Sequence, residues 1–149
     1  MKSVNHVACP EMSEEAQLAA DAAARQQALD PNHSFIVDAP AGAGKTELLT
    51  QRFLVLLARV NEPEEVVALT FTRKAAAEMR DRIMASLRAA TQPLAADAPP
   101  HKQKTYALAL DVLKQNNLRE WQLLDQPGRL PAQHHSKRWL LCLQCGSSQ

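Results

Sequence analysis

The segment over residues 38–46 combines the residue types that bind phosphate groups. It reads Asp-Ala-Pro-Ala-Gly-Ala-Gly-Lys-Thr and contains two of the four glycines in the chain, Gly42 and Gly44. Glycines allow a backbone to bend tightly and a ligand to approach it closely. In such a loop, successive backbone N–H groups can point at phosphate oxygens. The segment therefore predicts a binding site for a phosphorylated ligand.

Each part of this loop has a place in the predicted chemistry, although Ala39 stands where the phosphate-loop pattern usually has glycine. Lys45 is a flexible cation that can reach the β and γ phosphates of a nucleotide. Thr46 offers a hydroxyl ligand to Mg²⁺, and a helix that begins there adds free N–H groups and its dipole. The predicted nucleotide-binding residues of the loop are Ala39, Pro40, Ala41, Gly42, Ala43, Gly44, Lys45, Thr46 and Glu47.

The alternative interpretation of the loop is a glycine-containing turn between a strand and a helix, with an exposed Lys45. By average residue frequencies the bare pattern arises by chance in about one chain of this length in a hundred. Here it follows a predicted strand over residues 34–37 and opens a predicted helix over residues 46–60. This is the context that the motif requires, and it favours nucleotide binding.

A second cluster has the residue types that contact single-stranded nucleic acid. It comprises Thr70, Phe71, Thr72, Arg73 and Lys74. Cations in the first turn of a helix oppose its dipole, and a sequence tolerates them more readily when an anion lies across the turn. An aromatic ring beside hydroxyls and cations provides a stacking plane and neutralises a nucleic-acid backbone. The alternative for Phe71 is a place in the hydrophobic core.

Helices and strands alternate along the chain and position these two clusters. Apolar spacing predicts helices over residues 13–29, 46–60, 72–90, 102–115 and 118–124. Apolar, β-branched runs predict buried strands over residues 34–37 and 66–71. A strand, a crossover helix and a second strand imply a parallel α/β sheet with a right-handed connection. We expect a leader over residues 1–12, an α/β domain over 13–92, a Pro-rich linker with a helical segment over 93–130, and an atypical tail over 131–149 that has no clear place in the sheet.

Composition excludes several classes of protein. With 149 residues the chain is about one domain long, and its net charge of +1 excludes a globally basic nucleic-acid coat. No apolar run is long enough for a membrane span, and acidic residues stand where a signal peptide would be apolar. Three cysteines are an odd number for a disulfide framework. We therefore expect a cytoplasmic protein with no membrane partner.

The two clusters together resemble motifs I and Ia of the UvrD/Rep-like superfamily 1 DNA helicases. The residues concerned are Ala-Pro-Ala-Gly-Ala-Gly-Lys-Thr-Glu-Leu-Leu and Thr-Phe-Thr-Arg-Lys-Ala-Ala-Ala-Glu-Met-Arg, which are most similar to the branch with AddA- and RecB-type helicase–nucleases. The resemblance covers about residues 20–90. It implies an incomplete RecA-like P-loop NTPase lobe at the N-terminal end of an ATP-dependent DNA helicase, acting in DNA repair or recombination.

The resemblance also implies roles for individual residues. Lys45 and Thr46 would bind Mg-ATP, and the segment over residues 70–74 would contact single-stranded DNA, with Phe71 near a base. The family carries an upstream glutamine that reads adenine. We assign this role to Gln26, although residue counting puts Arg25 at the usual position, and a polar helix face is the alternative. The full-length family implies a partner subunit with nuclease or helicase activity.

The chain departs from the family pattern in two places. No Asp-Glu pair for hydrolysis occurs anywhere in it, and Asp125 is followed by Gln126, which cannot act as a base. After Leu130 the acidic residues are lost abruptly, which favours a truncated or frame-shifted end. Cys142 and Cys145 with two upstream histidines could ligate zinc, but their spacing is not that of a familiar finger.

These departures leave other functions open. One is a catalytically inactive stub that binds nucleotide or DNA, and a less favoured one is another P-loop class such as a small kinase.

Overall fold

The computed structural model describes residues 14–134, which form α-helices, two short 3-10 helices and two β-strands. The α-helices are α1 (Glu14–Gln27), α2 (Lys45–Leu57), α3 (Arg73–Ala89) and α4 (Pro100–Leu118). The strands are β1 (Ala68–Thr70) and β2 (Ala132–His134). The 3-10 helices cover Pro63–Glu65 and Pro127–Arg129.

The two strands form a parallel pair, with Ala68 opposite Ala132. Helices α3 and α4 lie between them in the chain, as a parallel connection requires. From α3, Arg80 fixes the second strand: Nε donates to the carbonyl of Leu130 at 3.2 Å and Nη2 to that of Ala132 at 3.1 Å. The strand β2 lies in the tail for which the sequence indicates no clear place in the sheet.

The hydrophobic core lies between α2, α3, α4 and the strand pair. The largest fully buried side chains are Trp121, Phe53, Leu54, Leu56, Leu57, Ile83, Leu87, Leu123 and Leu130. Trp121 is only 1% exposed, and its Nε1 donates to the carbonyl of Asn61 at 2.9 Å. The polar atom of this large ring is thereby satisfied inside the core.

The two helices that follow the predicted clusters are confirmed, with boundaries that shift by a few residues. Helix α2 begins at Lys45 and ends at Leu57. Helix α3 begins after Thr72, whose Oγ1 accepts a hydrogen bond from the N–H of Ala75 at 3.0 Å. Thr72 is thereby the N-cap of α3. It places the residues before Thr72 at the carboxyl end of β1.

The predicted buried strand over residues 34–37 is wrong. These residues belong to no strand and pair with none in the described part of the chain, and Ile36 is 89% exposed. The apolar run satisfies the local pattern of a strand, but a strand also needs a neighbour to bond its backbone. In residues 14–134 the only strand pairing joins β1 to β2, so the larger sheet with flanking helices is not observed.

The predicted short helix over residues 118–124 is also wrong. Helix α4 already includes Leu118, and the chain then takes a left-handed conformation at Glu120 (φ 54°) and Gln122 (φ 57°). Positive φ values are incompatible with a continued right-handed helix. The resulting turn places Trp121 in the core.

No helix within residues 14–134 is long and apolar enough to cross a membrane. The predicted leader over residues 1–12 lies outside the described residues, as do Cys142 and Cys145.

Candidate functional site: the phosphate loop and the end of the first strand

The loop before α2 has the backbone conformation that its glycines predict. Gly42 has a φ of 82° and Gly44 a φ of 75°, both in the left-handed region that favours glycine. A turn forms where the N–H of Ala43 donates to the carbonyl of Pro40 at 3.3 Å. Gly44 is the N-cap of α2, and its carbonyl accepts the first helical bond from Leu48 at 3.1 Å. The loop therefore leads directly into a helix N-terminus.

A cavity of about 250 Å³ lies beside this loop. Its walls come from α1, the segment that precedes the loop and the loop itself. Arg25 and Gln27 line it from α1, and Ala43 and Lys45 line it from the loop side. The half-buried Lys45 donates from Nζ to the carbonyl of Ala39. The ammonium group is thereby held against the loop that we predict to bind phosphate.

Arg25 joins α1 to the loop. Its Nη2 donates to the carbonyl of Ala43 at 2.6 Å, and its Nε lies 2.7 Å from Oδ2 of Asp21. A Cβ atom built on Gly44 would lie 3.4 Å from Nη1 of the same guanidinium. The side chain of Arg25 is 36% exposed. Arg25 is thus the side chain from α1 that contacts the phosphate loop directly.

Arg52 attaches the segment that precedes the loop to α2. Its Nη1 donates to the carbonyl of Ala28 at 2.6 Å, and its Nη2 to that of His33 at 2.7 Å. The guanidinium also lies 5.3 Å from the ring centroid of Phe35, within cation–π range. Burial lowers the pKa of Arg52 from its ordinary value, while the charge of Asp30 opposes this effect.

Thr46 and Glu47 point to different surroundings, although they are neighbours in α2. Thr46 is exposed and lines a second cavity, of about 300 Å³. The same cavity is lined by Thr70 of β1, by Phe71, which follows that strand, and by residues of α3. Glu47 accepts a hydrogen bond from the hydroxyl of Thr105 on α4. The structure therefore brings Thr46, but not the carboxylate of Glu47, toward the end of β1.

In the segment over residues 70–74, which leads from β1 into α3, Thr70 is half-buried and the other four residues are exposed. Phe71 is 64% exposed, so its ring is not part of the core. The Oγ1 of Thr70 donates to the carbonyl of Thr72 at 3.0 Å. The ammonium group of Lys74 lies 3.9 Å from Glu78, and its side chain is 86% exposed. Lys45 lines the loop cavity, and the next residue, Thr46, lines the second cavity together with Phe71.

Gln26 faces away from the cavity that its neighbours line. Its Oε1 accepts a hydrogen bond from the ammonium of Lys104 on α4. Arg25 and Gln27, on either side of it, contribute to the wall of the cavity. The assignment of Gln26 to the nucleotide stays a prediction, and its amide would have to leave Lys104 to contact a base.

The residues of the loop fit a Mg-nucleotide in their donor chemistry. Two left-handed glycines, the helix N-terminus and Lys45 all favour an anion. Residues 14–134 contain no group of three or more His, Cys, Asp or Glu side chains that could hold a metal ion. The exposed hydroxyl of Thr46 would therefore be one oxygen ligand, with the nucleotide and water supplying others, as Mg²⁺ commonly requires.

The sequence predicts the loop and the segment over residues 70–74 as binding residues, and this stays a prediction, but it does not reveal the contacts of Arg25 and Arg52. Both side chains bind main-chain carbonyls that are 18 to 24 residues away. One signal was present: Asp21 stands four residues before Arg25. This spacing places the two side chains on the same face of a helix and fixes the guanidinium.

Comparison with protein families gives one match that covers most of the chain. The profile of the UvrD/REP helicase N-terminal domain matches residues 20–138. This range includes the phosphate loop, the segment over residues 70–74 and β2. No solved structure matches the chain.

Similar proteins are named as DNA helicases. The A subunit of an ATP-dependent helicase/nuclease of Latilactobacillus sakei is 38% identical over 81 residues, which are 54% of this chain and 9% of that protein. A DNA helicase II of Haemophilus influenzae is 47% identical over 64 residues, which are 42% of this chain and 9% of that protein. The chain thus matches less than a tenth of the length of these two relatives.

Proposed function

The chain belongs to the family of UvrD/REP helicase N-terminal domains, and from that premise we propose that it is the ATP-binding part of a DNA helicase. The whole enzyme would couple ATP hydrolysis to movement along single-stranded DNA, in repair or recombination. The fold of this part belongs to the P-loop NTPase family, and the proposed architecture is a RecA-like lobe with a parallel sheet between helices.

The loop geometry is the observation that carries this proposal. Gly42 and Gly44 have positive φ, and Gly44 caps a helix. Lys45 stands at the first position of that helix and lines the adjoining cavity. The positive end of a helix and an ammonium group thus belong to the same loop, which suits the phosphates of a nucleotide.

Each residue of the loop has a defined task in the proposal. Lys45 leaves the carbonyl of Ala39 and donates to phosphate oxygens. Thr46 offers its hydroxyl to Mg²⁺, which when bound neutralises part of the phosphate charge. The sequence holds no Asp-Glu pair, so we expect this chain to bind Mg-ATP with little or no turnover.

Isothermal titration of the chain with Mg-ATP tests this proposal. Lys45→Ala removes a charge-assisted hydrogen bond of about 1.5–3 kcal/mol, so the affinity should fall by roughly ten- to a hundredfold. Lys114→Ala, an exposed lysine on α4 paired with Asp111, is the matched control and should keep the affinity of the unmodified chain. Equal affinity of the chain and Lys45→Ala would contradict the proposal, and steady ATP hydrolysis would contradict the expected lack of turnover.

The segment over residues 70–74 is the proposed contact with single-stranded DNA. The exposure of Phe71 supports this role, because a buried ring could not stack on a base. Arg73 and Lys74 start α3 beside the ring and would lie near the DNA backbone, with Thr70 and Thr72 as hydroxyl donors. Binding of this kind combines base stacking with neutralisation of phosphates.

Binding of a labelled oligonucleotide at several salt concentrations tests the DNA contact. Affinity should fall with salt at a logarithmic slope of roughly −0.7 per phosphate neutralised. Phe71→Ala should cost about 1–3 kcal/mol if a base stacks on the ring. Leu118→Ala is the control, since Leu118 is an exposed apolar residue at the end of α4. A chain that ignores DNA and instead transfers phosphate to a small acceptor would be a kinase.

The proposal also includes a cytoplasmic location and a further protein that pairs with the full-length helicase. The relative from Latilactobacillus sakei is by name one component of a helicase/nuclease. The odd number of cysteines suits a reducing compartment.

A further inference from the structure

The carbonyl of Ala43 points toward α1. The guanidinium of Arg25 holds it in this direction by donating from Nη2 at 2.6 Å. This contact spans 18 residues of sequence and lies at the last peptide before the N-cap of α2. Arg25 can therefore control the orientation of the peptide group between Ala43 and Gly44.

The contact with the carbonyl of Ala43 also determines where the N–H of Gly44 points, because both belong to one peptide group. The peptide group between Ala43 and Gly44 is planar and trans, so its C=O and N–H point in opposite directions. Because Arg25 holds the carbonyl of Ala43, the N–H of Gly44 is directed away from α1. Rotation of this peptide would bring the carbonyl oxygen to the face that now presents an N–H. Phosphate oxygens need the N–H there.

We propose that Arg25 is a positioning residue that orients the Gly44 N–H toward a bound phosphate. This inference rests on the proposed nucleotide binding and deepens it. Arg25, which lies on α1 and outside the loop, would then help to determine the geometry of the phosphate site. Gly44 needs such an external restraint, because glycine lacks a Cβ and the loop peptide can rotate with little steric resistance.

The guanidinium is itself held by a carboxylate. Oδ2 of Asp21, one turn earlier in α1, lies 2.7 Å from its Nε. A Cβ atom added to Gly44 would lie 3.4 Å from Nη1, which is an ordinary contact distance. A planar fork held through its Nε can define the direction of the carbonyl that it binds. A lysine could supply the charge but not this geometry.

Selective labelling makes the critical amide directly observable. The chain has only four glycines, so a sample labelled with ¹⁵N-glycine gives a spectrum of four amide signals. Gly44 and Gly42 report on the loop. Gly128, in a 3-10 turn that lines neither the loop cavity nor the second cavity, is the internal reference. Titration with Mg-ATP and with inorganic phosphate follows the response of each signal.

The expected result is a large shift of the Gly44 signal in the unmodified chain. In Arg25→Ala and in Arg25→Lys this shift should be lost or strongly reduced, and the affinity for Mg-ATP should fall roughly tenfold. The Gly128 signal should stay in place, which shows that the fold is intact. An equal Gly44 shift in the chain and in both variants would overturn the inference.

Asp21→Ala separates positioning from simple attraction of charge. This variant removes a negative charge near the loop, so an electrostatic role of Arg25 alone predicts tighter binding of Mg-ATP. A positioning role predicts weaker binding and a smaller Gly44 shift, because the guanidinium loses the carboxylate that holds its Nε. Tighter binding by Asp21→Ala with an unchanged Gly44 shift would contradict the inference.

Failure of the inference can be distinguished from failure of the proposed function. If no glycine signal of the unmodified chain responds to Mg-ATP or phosphate, nucleotide binding is wrong. The nucleotide-free spectra then still test the restraint. A selective displacement of Gly44 in Arg25→Ala would support orientation of this peptide by Arg25, and coincident spectra would overturn it.

Discussion

The two ends of α2 lie in regions that are held together by different forces. At its carboxyl end the packed region, residues 53–132, buries Phe53, Leu57, Ile83 and Trp121 in one apolar core. The region at the amino end of α2, residues 21–46, is called the anchored region. Its buried apolar residues Ala28 and Leu29 form only a small cluster, together with Leu48 of α2. There the main attachments are arginine side chains that donate to main-chain carbonyls.

This difference separates the stability of the fold from the geometry of the site. Burial of apolar surface is large in total and has little directional preference. A hydrogen bond from a guanidinium to a carbonyl contributes less but fixes the direction of a peptide group. We infer that the packed region determines whether the chain folds, while the anchored region determines how the phosphate loop is presented. Ligand-binding segments are commonly drawn from less stable parts of a protein.

Removing the largest buried side chain should have the largest effect. Trp121→Ala leaves a cavity in the packed region and also removes the hydrogen bond to the carbonyl of Asn61. Such substitutions cost about 3–5 kcal/mol, which denaturant unfolding followed by circular dichroism can measure. Leu118→Ala, at a side chain that is 76% exposed, should stay within about 0.5 kcal/mol. Similar losses for both variants would contradict the role of buried apolar side chains in holding the packed region together.

Removing an arginine anchor should have a smaller and more local effect. Arg52→Ala loses the hydrogen bonds to Ala28, Asp30 and His33 and the contact with the ring of Phe35. We expect the opening free energy of residues 28–35 to fall by about 2 kcal/mol. Hydrogen exchange measures this as faster exchange of those amides. Peptides from the packed region should exchange at unchanged rates, and faster exchange throughout the chain would refute a local role.

The smallest effect concerns a charge pair at the edge of the packed region. Arg129 lies 2.7 Å from Glu64 and its hydrogen bond is the main reason that the pKa of Glu64 is lowered from its ordinary 4.5. A carboxylate with a lowered pKa in the folded state stabilises the fold above its unfolded pKa. This contribution is lost as the pH falls through the lower, folded value. The exposure of the pair keeps the effect small.

Thermal unfolding of the chain and of Glu64→Gln between pH 6 and about 3 measures this contribution. The thermal midpoint of the unmodified chain should decline slightly more with falling pH than that of Glu64→Gln. Parallel curves would show that the ion pair contributes nothing to stability.

The features that the sequence predicts well are those fixed by neighbouring residues. The helices predicted to begin at Thr46 and Thr72 begin within one residue of these positions, at Lys45 and Arg73. The run over residues 34–37 has the local pattern of a buried strand, but strand formation depends on a partner that local spacing does not reveal. Likewise, the contact of Arg25 with Ala43 joins residues 18 positions apart and leaves no periodic signal.

Hydrogen exchange with and without Mg-ATP directly tests whether the loop over residues 39–47 binds a nucleotide. If the loop binds the phosphates, peptides that cover residues 39–47 should exchange more slowly when Mg-ATP is present. Peptides from the packed region, such as those around Trp121, should change little. Unchanged exchange over residues 39–47 at a saturating concentration of Mg-ATP would contradict nucleotide binding by this loop.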